Sequence, residues 1–358
     1  MNRWHTLAVS LSMLLMAASC TGRGAPGVST ILYVTGPTGR NTLHLVTADG
    51  SRRRALPERE VADTYYDLSP DGRRVLYSDV IGGAFHWWIL PLDGSEAVQV
   101  PAEGIGSSYL ARWLHDGKRI VAFAWDAATG VKGLYVIDPG AKTVRLLPAD
   151  GIQFACSATD NRVAVLSFEE DVAHIAIVDV DTGQVEHVPA ALGPVYGDEL
   201  AWSPDGSRFA LLRDQLETEG GLLLVDARRG EVWPAGLDVA NTKRAIQCLG
   251  WSPDGGRLLF VSNRERPGTL SVLDVATGKE TPLVEDTAWV CPCWSPDGRE
   301  IAFVHNMGRA GGPVQVCTID VATGRIVALT DDEEWKFNLM WGLAPAAVWA
   351  GSPGEGAR

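Results

Sequence analysis

The sequence predicts an all-β fold, a β-propeller of seven four-stranded blades whose N- and C-terminal strands close one composite blade; six or eight blades are the alternative counts. Three observations predict it. First, a turn motif recurs, in LSPDGRRVLYS from Leu68, WSPDGSRFALL from Trp202, WSPDGGRLLFVS from Trp251 and WSPDGREIAFVH from Trp294. Second, two worn copies, WLHDGKRIVAF from Trp113 and SATDNRVAVLS from Ser157, keep the charged turn and the apolar strand. Third, the turn aspartates Asp71, Asp116, Asp160, Asp205, Asp254 and Asp297 step by 45, 44, 45, 49 and 43 residues. That period suits four short antiparallel strands and their turns.

Each element follows from its residues. In Ser-Pro-Asp-Gly the proline presets φ, the aspartate accepts from nearby backbone amides, and the glycine takes a left-handed conformation. The repeated Asp71, Asp205, Asp254 and Asp297 are therefore structural turn residues. The Trp or Leu before each turn is a blade-to-blade packing residue. A second signal follows at fixed distance, VIDPGAKT, IVDVDTGQ, LVDARRGE, VLDVATGK or TIDVATGR, and reads as a hairpin turn between later strands. No stretch of ten or more residues after the N-terminal segment has apolar positions at helical spacing.

The two ends together make one more repeat. TILYVTG and TLHLVTADGSRRRAL match second, third and outer strands, and KFNLMWGLAP supplies the missing first strand with Trp341 in place. Pairing them removes two exposed sheet edges. The RRR run at Arg52 to Arg54 reads as a solvated turn between strands. AAVWAGSPGEGAR would add one further strand and then a disordered tail.

The domain organisation is a signal peptide over 1–19, a tether over 20–30, the propeller over 31–349 and the tail over 350–358. MNRWHTLAVSLSMLLMAASC has a basic start, an apolar core and small residues before Cys20, the form of a secretory signal. Its apolar stretch is short of the ~20 residues that span a bilayer. Ala17-Ala18-Ser19-Cys20 resembles the lipobox of bacterial lipoproteins, which implies that Cys20 is acylated and begins the mature chain. The expected location is a lipid anchor in the cell envelope, on the periplasmic or extracellular face of a membrane. TGRGAPGVST then serves as a Gly/Pro-containing tether.

The WSPDG turn, the IAFVH-type strand and the DVATG hairpin resemble the WD-like β-propeller repeats of the TolB type, over roughly residues 31 to 349. That resemblance implies the fold and leaves function open, because the repeat is shared by TolB, by the propeller halves of prolyl-oligopeptidase-like peptidases and by stand-alone envelope proteins. TolB itself carries a small α/β domain before its propeller, and about ten residues between Cys20 and the first strand leave no room for one. The peptidases need a Gly-x-Ser-x-Gly elbow, which this sequence lacks.

Composition and motifs narrow the chemistry. The net charge of −13 and the absence of a long Lys/Arg stripe argue against nucleic acid. There is no His-Glu-x-x-His, phosphate-binding Gly-x-x-x-x-Gly-Lys loop or Cys-x-x-Cys. No catalytic residue, metal ligand or cofactor is assigned. His86 and His174 occupy equivalent third-strand positions away from the channel, and His305 follows the second strand of the sixth copy.

The cysteines need the repeat register. With Cys20 given to lipid, Cys156, Cys248, Cys291, Cys293 and Cys317 remain, an odd count. Cys248 and Cys291 each lie three residues before a repeat Trp, matching positions on neighbouring innermost strands. Export permits a disulfide, so Cys248 paired with Cys291 or Cys293 is one reading; buried free thiols and a metal or redox site are the others. The functional expectation is a non-catalytic, monomeric, membrane-tethered scaffold whose rim or channel binds an envelope protein, peptide or glycan. The alternative is a carbohydrate-active lyase or hydrolase, or a small-ligand binder, using the central channel.

Overall fold

The computed structural model describes residues 27–36, 41–56, 66–82, 84–93, 95–169, 172–190, 192, 200–213, 221–235, 245–263, 268–287, 290–305 and 314–349. The signal segment, Cys20 and the 350–358 tail lie outside them. The described residues form 28 strands. Three open the chain: β1 (Gly27–Thr35), β2 (Thr42–Thr47) and β3 (Arg53–Ala55). Blade 2 comprises β4 (Tyr66–Leu68), β5 (Arg74–Ile81), β6 (Ala84–Pro91) and β7 (Val98–Gln99). Blade 3 comprises β8 (Ile105–Trp113), β9 (Ile120–Asp126), β10 (Lys132–Asp138) and β11 (Thr143–Leu146). Blade 4 comprises β12 (Gln153–Cys156), β13 (Arg162–Glu169), β14 (Val172–Asp179) and β15 (Val185–His187). Blade 5 comprises β16 (Leu200–Trp202), β17 (Arg208–Arg213), β18 (Gly221–Asp226) and β19 (Val232–Pro234). Blade 6 comprises β20 (Ala245–Trp251), β21 (Arg257–Asn263), β22 (Gly268–Asp274) and β23 (Glu280–Thr287). Blade 7 comprises β24 (Cys293–Trp294), β25 (Glu300–His305), β26 (Gln315–Asp320) and β27 (Ile326–Ala328). Finally β28 (Lys336–Pro345) completes blade 1 in the order β28-β1-β2-β3.

The fold is thus a seven-bladed propeller with a composite blade. β28 pairs with β1 from Gly27↔Pro345 to Thr35↔Lys336, with a bulge between Leu32 and Val34. Opposite that bulge Asn338 takes a φ of 55°. First strands contact one another around the ring, β28 with β4, β4 with β8, and β12 through β16 and β20 to β24.

The core is divided into seven apolar clusters, one between each pair of neighbouring blades. Successive side chains of a second strand serve opposite clusters: Phe209 and Leu211 face blade 4, while Ala210 and Leu212 face blade 6. Strands buried on both faces read as unbroken apolar runs, as in FALL over 209–212 and LLFV over 258–261. In blades 6 and 7 the repeat Trp adds a polar tie back to the preceding blade: Trp251 Nε1 donates to Ala201 O at 3.2 Å and Trp294 Nε1 to Gly250 O at 3.2 Å. Arg257 reaches the other way, from blade 6 forward to blade 7, stacking over Trp294 at 4.7 Å and donating to Gly298 O at 3.0 Å.

Four details depart from the sequence expectations. Strand β1 begins at Gly27, inside the segment read as tether. Residues Ala346–Trp349 form a 3-10 turn and not a further strand. In blade 4 the register slips by one: Cys156 pairs with Val163 as Trp202 pairs with Phe209, so Cys156 fills the Trp position and Thr159 the turn-aspartate position. Ser157 Oγ meets Thr159 Oγ1 at 3.1 Å, and Asp160 instead accepts from Arg162 Nε at 2.9 Å.

The fourth departure is the arginine run. Arg53 bridges Asp331 at 3.2 Å and Asp332 at 3.0 Å and donates to Leu329 O at 3.0 Å. Arg54 donates to Val348 O and Arg52 lies over the Trp349 ring at 5.2 Å. These side chains fasten the C-terminal segment to blade 1 and are not merely solvated. Lys336 completes the clamp, its Nζ bonded to the Asp332 carboxylate and, at 2.8 Å, to Glu334 O.

Candidate functional site

The propeller has two unlike faces, and their difference begins in the sequence. Turns from first to second strand and from third to fourth strand leave one side, here the turn face. In each of the four full motif copies the first of these turns has five residues, as in 69–73 and 295–299. Connections on the opposite side, the connection face, range from two residues at 82–83 to twelve at 188–199. Variation of length on a fixed scaffold is where recognition resides in such folds.

Turn-face polar groups are internally consumed. Ser69, Ser203, Ser252 and Ser295 donate to Asp71, Asp205, Asp254 and Asp297 at 2.5–2.7 Å. The same hydroxyls accept from the amide five residues on, as Arg257 N to Ser252 Oγ at 2.9 Å. The Ser252 hydroxyl and the Gly256 amide hold the Asp254 carboxyl below its ordinary value. The following glycines, such as Gly255 at φ 70°, supply the left-handed step. The third-to-fourth strand turns repeat the economy, with Asp274 Oδ1 accepting from Thr277 N at 2.8 Å and Thr277 Oγ1 at 2.7 Å.

The connection face is apolar where the turn face is polar. Over blades 2 to 4 it exposes Val80, Ile81, Trp125, Val131, Ile152, Phe168 and Val172, and at the connection into β28 it exposes Trp335. Between blades 2 and 3, joined there by the single pair Phe85↔Ser107, lies a cleft of about 690 Å³. That volume falls within the range of ligand sites. Phe85, Trp87, Val100 and Trp125 form its apolar lining, and His86, Gln99 and Glu103 its polar groups. Gln99 Nε2 and His86 Nδ1 lie 3.1 Å apart.

Trp125 is held there by a missing side chain. It pairs across the sheet with Gly106, and a Cβ at Gly106 would fall 2.1 Å from Trp125 Cε2. The indole therefore lies flat over bare backbone, 40% exposed, as a platform in the cleft. Neither residue belongs to the repeat motif. The available signal is a glycine inside a strand, which marks close approach of another group.

A second feature sits on the innermost strands below the cleft. Asp67 of β4 and Arg112 of β8 are both buried and paired at 3.6 Å, and Asp67 Oδ2 accepts from Trp113 N at 2.8 Å. In register, other blades place Ala155, Ala201, Gly250 and Cys293 at this position, so a charged pair in adjacent blades is the exception. Burial raises the Asp67 carboxyl to about 6 against the pull of Arg112. With the folded value above the unfolded one, the folded state holds the proton more tightly between about pH 4 and 6. Stability from this group is therefore greatest below that window and falls as pH rises through it. Between about pH 4 and pH 7 the stability difference between wild type and Asp67→Asn is expected to move by about 2–3 kcal/mol in the variant's favour. Urea denaturation at both pH values measures it, and a pH-independent difference contradicts it.

The histidines do not gather. His86 lines the cleft, His174 is exposed on β14, and His305 ends β25 in edge contact with Phe303 at 5.9 Å. Among the described residues no three His, Cys, Asp or Glu side chains come together as a metal-binding group. Cys291 is disulfide-bonded, and its partner lies outside the described side chains. It sits just ahead of β24 and not within that strand, whereas Cys248 falls within β20 beside a bulge between Gln247 and Gly250. Cys156, Cys293 and Cys317 are reduced. Burial pushes the Cys156 and Cys317 thiols up to about 12, which makes both poor nucleophiles.

Comparison with known proteins agrees with this architecture. No curated protein sequence matches significantly. Among solved structures the chain is similar to TolB from Acinetobacter baumannii, with 15% identity and a TM-score of 0.56 over 88% of this chain and 67% of that one. It is also similar to the β-propeller domain of the Trilobed protease from Pyrococcus furiosus, at 16% identity and a TM-score of 0.61 over 86% and 96%. A third is oligogalacturonate lyase from Vibrio parahaemolyticus, at 14% identity and a TM-score of 0.59 over 85% and 86%. At such identities the likeness is one of fold. The model of the TolB beta propeller domain matches residues 151–334, just over half of the sequence, and the chain belongs to that family.

Proposed function

We propose that this protein is an exported, lipid-anchored propeller of the bacterial cell envelope that binds a protein or peptide partner on its connection face and does no chemistry on it. The observation that carries this reading is the arc of exposed apolar side chains on blades 2 to 4, centred on the Trp125 cleft. Monomers seldom leave such side chains grouped on one face without a partner to cover them. An aromatic platform ringed by a few polar groups has the character of a contact hot spot.

A photo-crosslinking residue placed at Val131, Ile152 or Phe168 tests this in the native envelope. Each is expected to yield the same discrete adduct, which Ala276 and Ala322 on the turn face do not give. Equal labelling from both faces, or an adduct to glycan alone, overturns the proposal.

We further propose that Cys248 is the partner of Cys291. Six cysteines are present, three are reduced, and acylation of Cys20 would leave Cys248 alone. The bridge would tie blades 6 and 7 close to their innermost strands, and reducing it is expected to cost about 2–4 kcal/mol. Peptide mapping without reduction should recover the two segments joined; a free Cys248 thiol contradicts the pairing.

A further inference from the structure

The position of the first strand sets which way the propeller faces. Strand β1 starts at Gly27, opposite Pro345 of β28. That end of the pair lies on the turn face: a Cβ at Gly72, in the Ser-Pro-Asp-Gly turn of blade 2, would fall 2.7 Å from Leu343 O. Ala48, in the third-to-fourth strand turn of blade 1, donates its amide to Ser29 O at 2.9 Å. The chain therefore enters the fold among the turns, on the side opposite the Trp125 cleft.

We infer that the turn face is held against the membrane and that the connection face looks away from it, so that the partner approaches from the aqueous side and not from within the anchoring bilayer. This rests on Cys20 being the lipid-bearing residue. Seven residue steps separate Cys20 from Gly27, a reach of about 25 Å at full extension. The ring is as thick as its second strands are long, and the eight residues of β5 span about 27 Å. A tether leaving the turn face would use its whole reach in passing the ring's edge, with nothing left to travel outward or to meet the bilayer on the far side. The opposite orientation is out of reach.

The composition of the turn face suits that position. Arg73, Arg228, Arg229, Lys279, Arg299 and Arg325 are exposed there, among turn carboxylates already engaged by hydroxyls and amides. Such cations meet phosphate headgroups in water without burial. The apolar arc lies on the other side, where a bilayer held at the turn face does not cover it.

Energy transfer on the full-length lipidated protein tests the inference, using vesicles of phosphatidylethanolamine and phosphatidylglycerol that carry an acceptor dye on the headgroup. A donor is attached at Ala322→Cys on the turn face or at Val131→Cys on the connection face. Transfer from position 322 is expected to be efficient and transfer from position 131 several-fold weaker, a difference of about one ring thickness. Equal transfer, or stronger transfer from position 131, overturns the orientation while leaving the anchor standing. Flotation of the same samples separates the two ideas. A wild-type chain that does not float with vesicles, or a Cys20→Ala chain that floats equally well, overturns the anchor and the orientation with it.

Discussion

Replacing Lys336 with alanine is expected to lower the unfolding free energy by about 2–4 kcal/mol, the low end of the range for breaking a buried charge pair because one partner is partly exposed. The Lys336 side chain is fully buried, while that of Asp332 remains 34% exposed. Its ammonium group is bonded to the Asp332 carboxylate and to Glu334 O, and Asp332 is shared with Arg53 of β3. The triad therefore links the last strand, the connection before it and the outer strand of blade 1. Truncation removes the charge and leaves a void where the four-carbon stem was packed. Because β28 is the strand that closes the ring, the loss should fall first on β1 and β28. Amide exchange in those strands is expected to quicken more than in blade 4, and urea denaturation gives the total. A variant with an unchanged midpoint would mean that the closure does not depend on this clamp.

Adding a single methyl group at Gly106 is expected to weaken partner binding about tenfold or more, with a stability change under about 1 kcal/mol. The reason is local. A Cβ there cannot coexist with the indole of Trp125 in its present seat, yet that indole is partly exposed and can swing outward. Gly106→Ala should therefore disrupt the platform without disturbing the blade. Trp125→Ala should match it in affinity, and the double variant should lose little more, since both act on the same contact. Affinity for the crosslinked partner, measured by calorimetry on the purified pair, checks this. Full affinity in both single variants would exclude the cleft as the point of contact.

Much of the fold was legible because the repeat is written in residues with one structural meaning. Ser-Pro-Asp-Gly fixes a turn through proline's φ, the aspartate's acceptance of hydrogen bonds and the left-handed glycine. Thr-Gly and Asp-Gly mark the second turn, and Trp341 without a following turn betrayed the composite blade. Where residues lose that single meaning, the reading slipped. In blade 4, Cys156 stands for Trp and Thr159 for Asp, so the neighbouring Asp160 mimics the turn aspartate in the sequence. The arginine run looked like a solvated turn because its partners Asp331 and Asp332 lie some 278 residues away in sequence.

The candidate site was hidden for a related reason. Asp67 and Arg112 each look like an isolated charge until the register sets them on adjacent innermost strands. Trp125 and Gly106 meet only through a cross-strand pair, and the cleft exists only where two blades are joined by one bridging pair. Periodicity identifies the blades; it does not identify the gap between two of them.

The most direct test of a binding propeller that uses its connection face is a hydrogen-exchange footprint of the wild-type protein with its crosslinked partner. Protection is expected around residues 84–87, 99–106, 125–131 and 168–172, with the turns at 69–73, 252–256 and 295–299 unchanged. Protection centred on those turns, with the Trp125 cleft exchanging as in the free protein, would contradict it.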